Sequence, residues 1–342
     1  MAVDAMGGDN APAAIVDGAL LACRELGIAI TLVGDEYLLR EELSRRPDAD
    51  RLPLTIHHAS QRVAMDEQPS QVVRRKRDSS IWVATELVKK GQAAAVVSAG
   101  NTGASMATAL FLLGQVRGVE RPAIATLLPT LFGPCLLLDV GANVDCKPHH
   151  LLQFAIMGHI YVEGLLGRPS PKLGLLSIGE EETKGNELTK EAFKLLKESS
   201  LNFIGNVEGR DIYAGGADVV VCDGFIGNVA LKVSEGLAST ILKLLRREIA
   251  AARWGKLGYL LLRPAFSRFQ KRVDYAEYGG APLLGVNGVS IICHGRSSAR
   301  AIRNAVRVAQ ECVQQELHIK IRAELERRHA AVEPIVERER AG

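Results

Sequence analysis

The sequence predicts an α/β fold, a doubly wound and mostly parallel sheet with a protruding amphipathic helical hairpin. Short apolar runs alternate with helical patterns of about ten to twenty residues, the spacing of strands joined by crossover helices. Several of these runs end in or near Gly-Asn pairs, as at Gly100-Asn101 and Gly227-Asn228. One long segment, about 231–275, breaks the alternation and gathers positive charge on helical patterns.

Taken in order, Ala2 to Met6 is too short for a complete buried strand and runs into Gly7-Gly8-Asp9-Asn10. Asn10 is placed to cap a helix from about Ala11 to Leu26, with Pro12 tolerated in its first turn and Gly27 closing it. Ile28 to Val33 and Leu54 to His58 read as strands. The charge run Arg74-Arg75-Lys76-Arg77 reads as a solvated face, or as a landing surface for an anion beside a helix starting near Ser80. A helix to Lys90, a strand Ala93 to Ser98, a Gly100–Gly103 turn and a helix to about Leu113 follow. Pro122 to Leu128 and Cys135 to Val140 are two further strands, the second leading through Asp139, Asn143 and Asp145 to a helix over Pro148–Leu166. Later strands are Asn202 to Ile204, Asp218 to Cys222 and, last, Val289 to Cys293; a helix starts at Asn228 and another after Ser298.

The most informative stretch is Leu173 to Leu188, where an apolar run passes into Gly179-Glu-Glu-Glu-Thr-Lys184-Gly185-Asn186 and a helix begins. Asn186 is a natural helix cap and Glu187 suits the positive helix end, but Lys184 stands where the helix dipole disfavours a cation. Lys184 therefore pairs with Glu180, Glu181 or Glu182 in solvent, or it meets an anionic ligand. Gly-Asn pairs at Gly205-Asn206 and Gly227-Asn228, and the near-match Asp139-Val-Gly141-Ala-Asn143, repeat the construction. Glycine lets backbone N–H groups approach a ligand and asparagine supplies an amide, so such turns together suit a small polyoxyanion; each by itself is an ordinary turn. In a parallel sheet these strand ends share one side, the side on which such sheets bind ligands. Asp4 and Asp9 would face the same rim if these strands are parallel, or else hydrogen-bond within their own turn.

Composition narrows the class. The chain has 342 residues, 47% of them hydrophobic and 24% charged, with a formal net charge of +3. This is an ordinary globular core with no overall sign of a nucleic-acid binder. Six scattered cysteines without a C-x-x-C pair and no signal peptide point to a reduced, cytosolic protein. The pairs His57-His58 and His149-His150 lack a second ligand at zinc-like spacing, so a metal site is not expected; no cofactor is expected either. No apolar run is long enough to span a bilayer. The G-x-G-x-x-G fingerprint, the P-loop and the G-x-S-x-G elbow are all absent, which argues against dinucleotide chemistry, nucleotide hydrolysis and an α/β-hydrolase serine.

Residues 242–272 carry nine Lys or Arg against Glu248, a local charge of +8 that leaves the remainder of the chain at −5. Val233, Leu237, Ile241, Leu245 and Ile249 fall at helical spacing, and Trp254, Leu257, Tyr259, Leu260, Leu261 and Leu262 cluster at a hairpin tip before Pro264. Phe266, Phe269 and Val273 share a face of a second helix. Basic helices with an apolar tip suit an anionic membrane surface or an acidic protein partner; the tip packing into a neighbouring subunit is the alternative.

AVDAMGGDNAP from Ala2, RRKRDSS from Arg74, SAGNTGA from Ser98, LLDVGANVD from Leu137, GNELTK from Gly185, FIGNVE from Phe203, DVVVCDGFIGNVALK from Asp218 and EYGGAPLLG from Glu277 resemble the bacterial phosphate acyltransferase family, PlsX. The resemblance covers nearly the whole chain. It implies a fold similar to phosphotransacetylases and isopropylmalate-type dehydrogenases. The chain reads as one domain over 1–330, followed by a charged tail over 331–342. The resemblance implies transfer of a long fatty acyl group from acyl carrier protein to inorganic phosphate, giving acyl phosphate for glycerophospholipid synthesis. The expected catalytic residues are Lys184 and Asn186. Ser98, Asn101, Thr102, Gly103, Asp139, Gly141, Asn143, Gly185, Asp223 and Asn228 are expected to bind phosphate or acyl group, with Asp139 and Asp223 orienting Lys184 or the asparagines. Carrier-protein contacts are assigned to Arg263, Arg268, Lys271 and Arg272, and membrane contacts to Leu257, Tyr259, Leu260, Leu261 and Leu262. The implied partners are acyl carrier protein, inorganic phosphate, a second copy in a homodimer, an anionic membrane surface at the inner face of the membrane and a downstream membrane glycerol-3-phosphate acyltransferase, with no nucleic acid. Two rivals stay open: a short-chain phosphotransacetylase using acyl-coenzyme A, and a non-catalytic membrane scaffold.

Overall fold

A computed structural model of the chain describes residues 1–252, 254–273 and 278–340, without the side chains of residues 255–257, 270–273 and 329–340. The first half comprises β1 (Ala2–Asp4), α1 (Ala13–Leu26), β2 (Ile30–Gly34), α2 (Glu36–Ser44), β3 (Leu54–His58), α3 (Pro69–Arg75), α4 (Ser80–Lys89), β4 (Ala95–Ser98) and α5 (Thr102–Leu112). Next come β5 (Ala123–Thr130), β6 (Gly133–Leu138), α6 (Pro148–Leu166), β7 (Leu173–Leu176), α7 (Glu187–Glu198), β8 (Phe203–Val207), α8 (Asp211–Ala214) and β9 (Val219–Val221). The chain ends with α9 (Gly224–Ala251), α10 (Gly255–Val273), β10 (Ala281–Leu284), β11 (Val289–Ile292), α11 (Ala299–Gln314) and α12 (Leu317–Arg340).

Among the described residues the strands form one sheet of eleven in the order β3-β2-β1-β4-β11-β10-β5-β6-β9-β7-β8. The Val- and Leu-rich strands β1, β4, β6, β7, β9 and β11 are buried almost throughout, as strands covered on both faces must be. Within β3-β2-β1-β4-β11 all pairings are parallel, and so are those within β6-β9-β7-β8. Between the two blocks three antiparallel pairings intervene, β11 with β10, β10 with β5 and β5 with β6. Three reversals leave the blocks running in opposite directions. The expectation that all the Gly-Asn strand ends share one side is therefore corrected: carboxyl ends of β1 and β4 lie at one edge of the sheet, those of β6, β7 and β9 at the other.

The reversal comes from elements that sequence patterning reads poorly. The turn at Leu131-Phe132 makes β5 and β6 an antiparallel hairpin. The strand β10 contains Pro282 and follows Gly279-Gly280, and this short run gave no strand signal. Other boundaries differ by local chemistry. Asn10 does not cap α1, whose preceding residue is Pro12, with no side-chain cap; instead the Ala14 N–H bonds the Asn10 carbonyl at 3.0 Å. Gly27 closes α1 as expected, in the left-handed conformation at φ 66°.

The helical hairpin is present as α9 and α10, but α9 starts at Gly224, a turn before Asn228. Its cap is Asp223, whose Oδ1 accepts the Ile226 N–H at 2.9 Å. Leu257 to Leu262 lie within α10 rather than ahead of it, and Pro264 is inside that helix. The side chains of Leu257, Lys271 and Arg272 lie outside the described residues. The region assigned to a charged tail continues α12 as far as Arg340, and Ala341 and Gly342 are outside the described residues.

Candidate active site

The turn after β6 is organised by one carboxylate. Asp139 is fully buried, and its Oδ1 accepts the N–H groups of Ile124 (3.0 Å), Gly141 (3.2 Å) and Ala142 (3.0 Å). Its Oδ2 accepts the Asn143 N–H at 2.7 Å and the Asn143 Nδ2 at 2.9 Å. Burial pushes this carboxyl above its ordinary value, and these donors pull it back. Asn143 also donates to the Pro122 carbonyl at 2.7 Å and is itself buried. Asp139 thus orients an asparagine; among the described residues no hydrogen bond or ion pair joins it to Lys184, and the Asn143 amide nitrogen is committed to the fold.

The start of α9 is pressed against this turn. The Gly224 N–H donates to the Asn143 carbonyl at 2.7 Å. A Cβ on Gly227 would stand 1.8 Å from the Asp139 carbonyl oxygen, so no other residue fits. That contact presents Asn228, exposed, over Gly141, whose added Cβ would be 3.6 Å from the Asn228 side chain. Gly141 itself sits at φ 131°, a left-handed-region backbone suited to glycine.

Beside β9, the loop from β7 to α7 carries Lys184. Gly185 has φ 100°, and a Cβ there would meet Thr189 Oγ1 at 2.1 Å. Thr189 in turn donates its N–H to Asn186 Oδ1 at 2.9 Å, making Asn186 the cap of α7 as expected. The acids expected to neutralise Lys184 are largely engaged elsewhere: Glu180 with Arg210 at 3.4 Å and Glu182 with Lys197 at 2.6 Å. Among the described residues, no ion pair uses the Lys184 ammonium, and the side chain is exposed. Leu138 and Leu175 both pair with Val221 of β9, so the Lys184 loop and the Asp139 turn leave the sheet two strand spacings, about 10 Å, apart.

Ser98, Asn101, Thr102 and Gly103 form a separate group at the end of β4. The Ser98 hydroxyl donates to buried Asp4 at 2.6 Å and accepts the Gly100 N–H at 3.1 Å. Asn101 caps α5 and donates to the carbonyls of Met65 (2.8 Å) and Glu67 (3.0 Å). Four strand spacings, about 20 Å, separate β4 from β6, and among the described residues no hydrogen bond joins this group to the Asp139–Lys184 group. The sheet does not bring the two groups together. Gly205-Asn206, read from sequence as a strand-end turn, lies inside β8.

Two thiols adjoin the Asp139 turn. Burial pushes Cys146 up to about 12 and Cys222 well above its ordinary value, so both stay protonated at neutral pH and neither is a ready nucleophile. One cluster was not legible in the sequence: Glu120, far from the histidine pair in the chain, lies 2.9 Å from His149 Nε2 and 3.4 Å from His150 Nε2. His150 Nδ1 accepts the Lys147 N–H at 3.0 Å, which leaves the proton of the neutral ring on Nε2, facing Glu120. That nitrogen is a donor in a hydrogen bond and has no lone pair for a metal.

On the carboxyl-end edge of β6-β9-β7, then, an exposed lysine without a carboxylate partner among the described residues shares the rim with two helix amino ends and an exposed asparagine. Such a rim suits a phosphate-sized anion. The family model described as "Fatty acid synthesis protein" matches residues 1–320. A phosphate acyltransferase of Geobacter sulfurreducens is 57% identical over 326 residues, covering 95% of this chain and 94% of the relative. One of Pelotomaculum thermopropionicum is 55% identical, covering 95% of each chain. Among solved structures, a phosphotransacetylase from Streptococcus pyogenes aligns with a TM-score of 0.63 at 16% identity, covering 92% of this chain and 94% of that one. A branched-chain phosphotransacylase from Enterococcus faecalis aligns at 0.55 and 16%, covering 92% and 99%; both likenesses concern the fold. The chain belongs to the fatty acid synthesis protein family, that of the phosphate acyltransferases.

Proposed function

We propose that the chain transfers a long-chain fatty acyl group from acyl carrier protein to inorganic phosphate, releasing acyl phosphate for glycerophospholipid synthesis. The kinship with phosphate acyltransferases supports the reaction class. The observation that carries the site is Lys184, exposed and without an ion-pair partner among the described residues, on the same rim as the Gly141–Asn228 contact. Bound phosphate attacks the thioester carbonyl; an O–C bond forms, the C–S bond breaks, and the carrier thiolate leaves. Phosphate is already nucleophilic at neutral pH, so no covalent enzyme intermediate is required. Lys184 neutralises the phosphate or the developing oxyanion, and Asn228 with the amino ends of α7 and α9 fixes its geometry. Asn186 acts by capping α7, which holds Gly185 and Lys184 in place, and the Ser98–Gly103 group is left for another part of an extended acyl thioester.

The test is free-thiol release from palmitoyl acyl carrier protein with and without inorganic phosphate, the product trapped by hydroxylamine. Phosphate-dependent release of an acyl phosphate is expected; phosphate-independent release would replace this reading by hydrolysis or another acceptor. Lys184→Ala is expected to lower turnover by about 10²-fold or more. The same assay with acyl-coenzyme A separates the short-chain phosphotransacetylase reading.

The hairpin supports the partner assignments. Leu260, Leu261 and Trp254 are exposed beside the cations of α10, which suits an anionic membrane surface, while Arg263 and Arg268 suit an acidic carrier protein. No helix among the described residues is long and apolar enough to cross a membrane, so the association proposed is peripheral, at the inner face, where a glycerol-3-phosphate acyltransferase would take up the product. Along α9, Val229, Val233, Leu237 and Ile241 are exposed at helical spacing, a stripe suited to a second copy in a homodimer.

A further inference from the structure

Asn206 has no part in the reaction as described above, yet it is tied to the residue at its centre. It lies in β8 opposite Leu175 of β7, and only 6% of it is exposed. Its Nδ2 donates to the Glu181 carbonyl at 2.9 Å. That carbonyl also accepts the Lys184 N–H at 3.0 Å, so one oxygen joins the buried amide to the lysine backbone. The surrounding loop residues, Ile178 and Glu180 to Lys184, are exposed and gain little from packing. Among the described residues, the Asn206 Oδ1 is buried without a partner. The amide cannot turn to use that oxygen elsewhere, because the turn would set it against the Glu181 carbonyl.

Burying an amide with its oxygen unpaired costs folding free energy that an apolar side chain at this position would not. A merely structural strand position beside Leu175 gives no reason for it. Holding the Lys184 turn does, since an exposed loop has few other means of fixing an ammonium to the sub-ångström placement that transfer demands. We propose that Asn206 is a positioning residue for acyl transfer, which sets the place of Lys184 through the Glu181 carbonyl; this rests on Lys184 acting in the reaction.

The experiment is a double-mutant cycle on the full-length protein with Asn206→Asp and Lys184→Ala, read as kcat and KM for acyl carrier protein thioester and phosphate. Asn206→Asp keeps the shape, removes the donor and faces the carbonyl with oxygen. It is expected to lower kcat about tenfold or more while KM for the carrier thioester stays within about twofold, and to lower kcat less than about twofold further when Lys184 is already alanine. Losses that multiply in the double variant, or a kcat for Asn206→Asp like that of the wild type, would overturn the proposal. Wild-type-like turnover of Lys184→Ala would instead overturn the lysine assignment on which it rests. Asn206→Ala, with the same expected pattern, serves if the aspartate variant does not fold.

Discussion

Gly227 shows how little a single residue's identity says about its task until its neighbours are known. In sequence it is half of one more Gly-Asn pair; in the fold it is the point where α9 touches the Asp139 carbonyl. Gly227→Ala is expected to destabilise the protein toward the upper end of ~1–3 kcal/mol, because the atom in the way is backbone and cannot step aside. Urea unfolding measures this, and acyl transfer should fall with it, since Asn228 moves too. The asparagines divide in a way no motif reveals. Asn101 and Asn186 cap helices, Asn143 staples a turn, Asn206 is buried in a strand, and Asn228 faces out. The Gly-Asn pattern marks these turns and suggests a ligand for most of these amides. Their actual partners are backbone groups, and Asn143 reaches back to Pro122.

Elements that end in strong local signals were readable. α6 and β3 fall where the apolar pattern and flanking residues put them, and α7 begins at its asparagine cap. Elements defined by distant partners were not, as with β10, whose place comes from pairing with β5 and β11. α12 gives a pH test at this scale. Glu324 bonds Arg327 at 2.7 Å and Arg328 at 2.7 Å, and hydrogen bonding to Arg327 first lowers its carboxyl from 4.5 to about 2. A folded-state value below the unfolded one means that the contribution is present above about pH 4.5 and is lost as the pH falls through about 2. Glu324→Gln is therefore expected to lower the melting temperature at pH 7 modestly, with the gap to wild type closing between those two values. A constant gap down to acid pH would show that the pairs contribute nothing through this titration.

At the scale of the whole molecule, reversal of strand direction across β10, β5 and β6 decides which turns can cooperate. It gathers Asp139, Lys184 and Asn228 on one edge and leaves Ser98 and Asn101 on the other. The hairpin sets two expectations. Leu237→Asp, in the middle of the exposed α9 stripe, should shift the protein from dimer to monomer in sedimentation velocity; an unchanged mass would remove the stripe from the interface. Leu260→Ser with Leu261→Ser should reduce co-sedimentation with anionic vesicles while transfer from soluble thioester is preserved. Binding of the unaltered protein should weaken as salt is raised, because the basic helices contribute through screened charges.

By itself the sequence determined the alternation of strands and helices, the positions of the turns, the lysine before α7 and the basic hairpin. All of these follow from periodicity, capping and charge within a window of some twenty residues. Tertiary structure decided which amides bond within the fold, that Glu180 and Glu182 pair with Arg210 and Lys197 instead of Lys184, and which strand ends meet. Those outcomes depend on hydrogen bonds and strand pairings between residues far apart in the chain, such as Asn143 with Pro122 and Asn206 with Glu181. No local pattern encodes them.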